Sequence, residues 1–363
     1  MSRGRGTSSG TLRLAIGIGL LVAGVAHAQE PQYFEEPPAR PKLSLSWDFL
    51  ARYDQVDHWR GYEPVRRGRF ELRPEVGFEP SETLRIAVRG VFDYGTDAES
   101  YPQYDNYESR GAALERYYIL WRPGAFAVRA GRFGIPLVAT EMLWDRDIQT
   151  PGAAAAWSSP DGAWTLAGAG FYAPQRDGER SRIAVGQVVW RSGDAARFQI
   201  EAAASYWSYD LRDLKPVYIR ENTPRLADGR LEYASGFHVA DLILRLRFPL
   251  AGLPVLVSLD GMNNFEAQTG RRLAFEGALV VGRLGTPGNW RAVYSYQYIQ
   301  RDATVGAYNG DDWWWHTWYE GHRLALGVTV LPQVYVQGSA VVQRRLDLDF
   351  WINRYMVDLV KMF

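Results

Sequence analysis

Charged residues of both signs are concentrated in one central segment, 134–151, and they suit electrostatic sorting of solutes better than covalent chemistry. The segment carries Glu141, Asp145, Arg146 and Asp147. Flanking segments supply arginines that we expect to face it: Arg69, Arg73, Arg85, Arg89, Arg129 and Arg132. Acids opposite arginines across a narrow aqueous space create a transverse field that distinguishes cations from anions. The same charges could instead form ion pairs that hold the segment in place, and the two interpretations can coexist.

Residue types for catalysis or metal binding are sparse. The chain has no cysteine, which excludes disulfides, thiolate zinc sites and a cysteine nucleophile. The histidines beyond the N-terminal region are His58, His238, His316 and His322. His316 with the nearby Asp311 and Asp312 is the only group that suggests such chemistry, and two adjacent acids are a weak signal for calcium. We therefore expect no metal, no cofactor and no enzyme activity.

A second conspicuous group is aromatic and lies in one late connection. It consists of Trp313, Trp314, Trp315 and Trp318. Aromatic side chains mark both boundaries of membrane proteins, so the favoured interpretation is a girdle at the lipid interface. A platform on which sugars stack is the alternative.

The composition excludes several classes of protein. Apolar residues make up 47% and charged residues 23%, which argues against disorder. Basic and acidic residues number 41 each, so no basic surface for nucleic acid is expected.

The N-terminus has the pattern of a secretory signal peptide over residues 1–28. Arg3, Arg5 and Arg13 form a basic region, an apolar run with glycines covers 14–26, and Ala26-His27-Ala28 is a small-residue cleavage site. The run is too short to span a bilayer. A Pro-rich tether over 29–41 follows, and we expect it to lie in the periplasm. Removal of the three arginines leaves 38 basic against 41 acidic residues.

Beyond residue 41, apolar and polar residues alternate with period two. In the first such segment Leu43, Leu45, Trp47 and Phe49 alternate with Ser44, Ser46 and Asp48. Alternation of this kind predicts strands with one apolar and one polar face. We count about sixteen segments of about ten residues, the length of a tilted membrane strand. They begin near residues 42, 68, 82, 112, 125, 152, 162, 181, 196, 236, 253, 270, 288, 321, 332 and 350.

The connections between these segments alternate between long and short. The long ones cover 54–67, 94–111, 134–151, 173–180, 209–235, 265–269, 302–320 and 345–349. The short ones contain Pro, Gly, Asp or Ser, as at 79–81, 123–124, 159–162 and 192–194. Short periplasmic turns and long extracellular loops are typical of outer-membrane barrels.

These patterns predict an all-β fold, a transmembrane antiparallel β-barrel over residues 42–363. A sheet in lipid must close on itself to pair every backbone polar group. The polar faces carry too many ionisable groups for a packed interior, so we expect hydrated charges in a water-filled lumen. A soluble sandwich or barrel is the alternative.

One stretch resembles a known family. In residues 129–157 the matching positions are Gly131, Arg132, Phe133, Pro136, Leu143, Trp144, Asp145, Asp147 and Gly152. They resemble a motif of the porin family of Gram-negative outer-membrane β-barrels, and the terminal Phe363 resembles their signal for the barrel-assembly machinery. The resemblance implies a diffusion channel in which 134–151, the third long connection, folds into the lumen as a constriction. It also implies an outer-membrane location and a homotrimer.

The expected function is therefore a porin that lets small hydrophilic solutes and ions diffuse across the outer membrane. Inward strand positions lean basic, whereas the loops lean acidic. Examples of inward arginines are Arg85, Arg89, Arg245, Arg247, Arg291 and Arg323, and inward acids include Asp48, Glu71, Glu75, Asp241, Asp260 and Glu276. This balance indicates a weak anion preference. A channel specific for a sugar or an anion is the alternative within the class, and a barrel enzyme or an adhesin is the alternative outside it.

Overall fold

The computed structural model describes residues 42–57, 64–95, 111–172, 181–211, 219–268 and 270–362. The signal peptide predicted over 1–28, the tether over 29–41, His58 and Phe363 lie outside the described residues.

The described residues are organised almost entirely as β-strands. Their bounds are β1 Lys42–Asp57, β2 Val65–Ser81, β3 Leu84–Gly95, β4 Gly111–Trp121, β5 Phe126–Gly134, β6 Gln149–Ser158, β7 Trp164–Tyr172, β8 Arg182–Asp194, β9 Phe198–Asp210, β10 Pro224–Ala227, β11 Arg230–Tyr233, β12 Phe237–Leu250, β13 Leu253–Asn264, β14 Leu273–Gly282, β15 Trp290–Ile299, β16 Tyr319–Leu331, β17 Val334–Arg345 and β18 Ile352–Lys361. A single 3₁₀ turn, η1, covers Gly306–Tyr308.

Sixteen of these strands form one closed antiparallel barrel, as the alternation predicts. Each strand pairs with its neighbour in sequence, and β1 closes the ring by pairing with β18, with Arg52 opposite Asp358. Closure leaves no unpaired sheet edge, which is the requirement for a sheet in lipid. The predicted fold class is confirmed.

The outer and inner faces have inverted polarity relative to a soluble barrel. Large apolar side chains are exposed on the outside, among them Leu43 and Leu45, which are 73% and 77% exposed. Ionisable side chains are buried inside, and Asp54, Glu115 and Arg245 have no exposed surface. An apolar exterior around a charged interior is the arrangement of a membrane barrel.

No helix in the described part of the chain is long and apolar enough to cross a membrane.

The connection between β9 and β12 contains a small hairpin, β10–β11, that the period-two pattern does not predict. Its strands have four residues each, too few to show a period of two. The missed signal is Asp228-Gly229 at the turn, where both residues have positive φ. Asp-Gly favours this type of turn because two successive positive φ angles are required.

The lumen differs from the expected water-filled space. Much of it is occupied by an apolar cluster of buried residues from at least three connections and the wall, including Trp144, Trp207, Ile219, Tyr308 and Phe171. Many inward charges lie in ion pairs instead of in water, as Arg52 does with Asp358 at 2.7 Å. The expectation of simple hydration is therefore wrong for those charges.

Candidate functional site

The connection between β5 and β6, residues 135–148, lies inside the barrel and is called here the inner loop. Gln187 of β8 clamps its backbone: the side-chain oxygen accepts the Val138 N–H at 2.8 Å, and the side-chain amide donates to the Val138 carbonyl at 2.6 Å. Arg245 of β12 donates to the carbonyl of Ala139 at 3.3 Å. Thr140 donates to Asp260 of β13. Since β8, β12 and β13 lie three, five and six strands around the ring from β5, the loop extends across the lumen.

An apolar side of the inner loop packs against the wall. Trp144 is fully buried, and its ring lies 5.7 Å from that of Trp207 and 6.0 Å from that of Phe171. Met142 and Leu143 beside it are also fully buried. Packing of large aromatic surface removes apolar area from water and fixes ring geometry. The loop is thus held by a small hydrophobic core within the lumen.

A second connection, residues 300–318 between β15 and β16, also lies inside the barrel and is called here the second inner loop. Its Tyr308 stacks on Trp144 at 5.0 Å between ring centroids. Its Gly310 N–H donates to the Glu141 carbonyl at 2.7 Å. A Cβ atom on Gly310 would lie 2.8 Å from the Cβ of Glu141, so the close approach of the two loops requires glycine there.

Asp145 joins the two loops through backbone groups. Its N–H donates to the Tyr308 carbonyl at 2.6 Å, and its carboxylate accepts the N–H groups of Asp147 at 2.9 Å and Asp311 at 3.0 Å. A carboxylate that accepts backbone donors in this way organises the chain locally. This geometry supports a structural role for Asp145, one of the two interpretations that the sequence left open.

A chain of ion pairs ties both loops to the wall. Arg323 of β16 pairs with Glu141 at 3.3 Å and with Asp312 at 2.6 Å. Arg52 of β1 pairs with the same Asp312 at 2.6 Å and with Asp358 of β18 at 2.7 Å. Removal of one member of a buried network leaves its partners uncompensated, which is costly. The network therefore fixes the position of both loops.

One of the predicted arginines, Arg73, contacts the inner loop, and Arg89 shares the partner Asp48 with it. Arg73 of β2 pairs with Asp147 at 3.2 Å and with Asp48 at 2.6 Å. Arg89 of β3 pairs with Glu115 and lies 3.8 Å from Asp48. Arg69, another of the predicted arginines, pairs with Glu71 and lies 3.3 Å from Asp311 of the second inner loop.

The remaining predicted arginines are placed elsewhere. Arg85 lies toward the short-turn end, where it pairs with Glu75 at 3.2 Å and Glu79 at 3.3 Å. Arg129 faces inward with its guanidinium 4.7 Å from the Tyr118 ring centroid. The placement of Arg132 in the constriction is wrong: it alternates with Phe133, which is buried inside, and pairs in register with the exposed Tyr117. Period two puts residues 129 and 132 on opposite faces.

The girdle interpretation of the tryptophan group is also wrong. Trp313, Trp315 and Trp318 are 2%, 2% and 7% exposed, so none presents a ring to lipid or to a sugar. Trp314 faces Arg67, whose guanidinium lies 5.3 Å from its ring centroid. These residues belong to the second inner loop and pack inside the barrel, because the loop turns inward instead of outward.

The exposed edge of the inner loop consists of Arg146 and Asp147; its other residues from 137 to 148 are buried. Burial acts to raise the pKa of Asp147, but Arg73 and Arg146 hold this pKa below its ordinary value. Asp147 therefore carries a full negative charge at neutral pH. The exposed edge of the inner loop therefore presents the cation Arg146 next to the anion Asp147, and Asp147 is paired with Arg73 of the wall.

Glu141 should make ion selectivity depend on pH near neutrality. Burial raises the pKa of Glu141 to about 7, in opposition to Arg323, and the like charge of Asp312 adds to the rise. As pH falls from 8 to 6, the carboxylate gains a proton and the lumen loses one negative charge. We expect the reversal potential under a KCl gradient to shift toward anions over this range. The shift should be smaller in Glu141→Gln than in the wild type, and an equal shift in that variant would contradict the assignment.

The acids near His316 in the sequence form ion pairs with arginines of the wall. Burial lowers the pKa of His316 well below its ordinary value, so the ring is neutral. Asp311 pairs with Arg69, and Asp312 pairs with Arg323. Among the described residues, no cluster of three or more His, Asp or Glu side chains could hold a metal ion.

No family model matches the chain, and no curated protein matches its sequence. Several solved structures share its fold. OprB of Pseudomonas putida is 12% identical with a TM-score of 0.59, over 88% of this chain and 93% of that one. An anion-selective porin of Comamonas acidovorans is 10% identical with a TM-score of 0.53, over 89% and 100%. OpdO of Pseudomonas aeruginosa is 11% identical with a TM-score of 0.50, over 88% and 96%. The resemblance to porins is confirmed for the fold.

Proposed function

We propose that this protein is an outer-membrane channel through which small hydrophilic solutes and ions diffuse passively. The observation that carries the proposal is a closed sixteen-strand barrel with an apolar exterior, crossed inside by a loop with a charged edge. Fixed charges at a narrow point of a pore set its ion preference. Outer-membrane lipids are the surroundings that such an exterior requires. Recognition of Phe363 by the barrel-assembly machinery and assembly as a homotrimer belong to the same proposal.

The second inner loop favours a narrow channel over a wide one. A barrel of sixteen strands with an empty interior leaves a broad aqueous pore. Here two connections share the lumen and contact each other through Asp145, Glu141 and Tyr308. This crowding supports the second candidate, a channel selective for one class of solute. A current that such a solute blocks in a saturable way would distinguish it from a general porin.

Conductance of the refolded protein in a planar bilayer tests the proposal. Stepwise ohmic openings are expected from barrels that show heat-modifiable migration, which establishes folding. Absence of conductance from such barrels would reject the channel and favour the barrel enzyme or the adhesin.

Reversal of the charge at Arg146 should change the selectivity. In Arg146→Glu the exposed edge of the inner loop carries two anions, so cations gain and anions lose electrostatic stabilisation in the passage. We expect the reversal potential under a salt gradient to move by tens of millivolts toward the cation limit. Arg225→Glu is the matched control, because Arg225 lies on the exposed β10–β11 hairpin, where its side chain is 52% exposed. Equal reversal potentials for wild type and Arg146→Glu would show that the loop edge does not line the passage.

A further inference from the structure

A cavity of about 890 Å³ opens at the short-turn end of the barrel. It is formed where β8, β12 and β14 end and where β9, β13 and β15 begin. Its volume lies in the range of sites that enclose small organic ligands, about 300–1,000 Å³. It is separate from the charged edge of the inner loop, which contacts Arg73 on the other side of the barrel.

The charged residues that line this cavity are mostly cationic. They are Arg191, Arg247, Arg283 and a single acid, Glu201. Glu201 pairs with Arg191 at 2.7 Å and lies 3.8 Å from Arg247. It also pairs at 3.1 Å with the fully buried Arg245, which holds the inner loop. One carboxylate among several guanidinium groups leaves a local excess of positive charge.

The opposite side of the cavity is apolar. Leu256 and Val280 line it and belong to a buried cluster with Val293 and Ala325. Pro254 extends this side toward the short turns. The next inward acids on these strands, Asp260 and Glu276, lie farther toward the long-loop end in the strand register and do not line the cavity.

We propose that this cavity binds organic anions that carry an apolar body, such as an aromatic carboxylate. The planar guanidinium groups of Arg191 and Arg247 suit the two oxygens of a carboxylate, and the apolar side accepts a ring or a hydrocarbon chain. The inference rests on the proposed function in one respect: if the barrel is a channel, organic anions are the class of solute that it transports. Binding itself needs no transport.

Calorimetric titration of benzoate into the folded, detergent-solubilised barrel tests the proposal. Benzoate should bind in a saturable way, and the neutral benzyl alcohol should not, because it lacks the charge that the arginines recognise. Arg247→Gln should weaken benzoate binding by about tenfold or more, the usual effect of removing a charge-assisted hydrogen bond. Arg225→Gln, on the exposed hairpin, is the control and should bind as wild type does.

Arg283→Gln provides a second variant, because Arg283 is exposed and its loss should leave folding intact. Unchanged benzoate affinity in both variants, or no binding by the wild-type barrel, would overturn the proposal. Bilayer recordings separate this failure from failure of the channel. Benzoate binding without conductance would support the binding site and reject the channel. Conductance without benzoate binding would support the channel and reject the binding site.

Discussion

Replacement of Trp144 by alanine should release the inner loop and raise the unitary conductance, with frequent flicker between levels. Trp144 has no exposed surface, and it stacks on Tyr308 of the second inner loop and on Trp207 of the wall. Truncation of a buried tryptophan typically costs about 3–5 kcal/mol. Because the barrel strands keep their backbone pairing, we expect this loss to appear in the loops and not in the barrel.

Single-channel recording of Trp144→Ala measures this effect, with heat-modifiable migration as proof that the barrel is intact. The matched control is Trp164→Ala, because Trp164 is 47% exposed on the outer face and touches neither inner loop. The control should keep the wild-type conductance. A Trp144→Ala channel as narrow and as quiet as wild type would show that the polar contacts alone position the inner loop.

The barrel was predictable because its signal is repeated in every strand. Period-two alternation, turn residues and alternating connection lengths each report local backbone geometry, so strands such as β1 and β13 begin where the sequence predicts, at residues 42 and 253. The hairpin β10–β11 was missed because four-residue strands contain too little pattern.

The lumen was less predictable because its contacts are distant in sequence. Nothing near Asp312 indicates that it will pair with Arg52, 260 residues away. A run of tryptophans is equally typical of a membrane girdle and of a packed core. Only the inward path of the second inner loop shows that these tryptophans pack inside the barrel. The error at Arg132 differs in kind, since strict alternation from Arg129 would have placed it on the outer face.

The largest loss of stability is expected from Asp54→Asn, at the seam where the barrel closes. Asp54 has no exposed surface and pairs with Arg67 of β2 and, at 2.8 Å, with Arg354 of β18. Asparagine keeps the shape but removes the charge, so two arginines remain close together without the anion between them. Loss of one partner in a buried ion pair costs about 3–5 kcal/mol.

Urea unfolding in lipid vesicles measures this loss as a lower midpoint for Asp54→Asn. Glu232→Gln is the control, because the Arg225–Glu232 pair is exposed, and an exposed pair contributes less than about 1 kcal/mol. A double variant, Asp54→Asn with Arg354→Gln, should recover part of the stability, since it removes one of the two uncompensated cations. If Asp54→Asn unfolded at the wild-type urea concentration, the seam would depend on backbone pairing between β1 and β18 and not on this charge network.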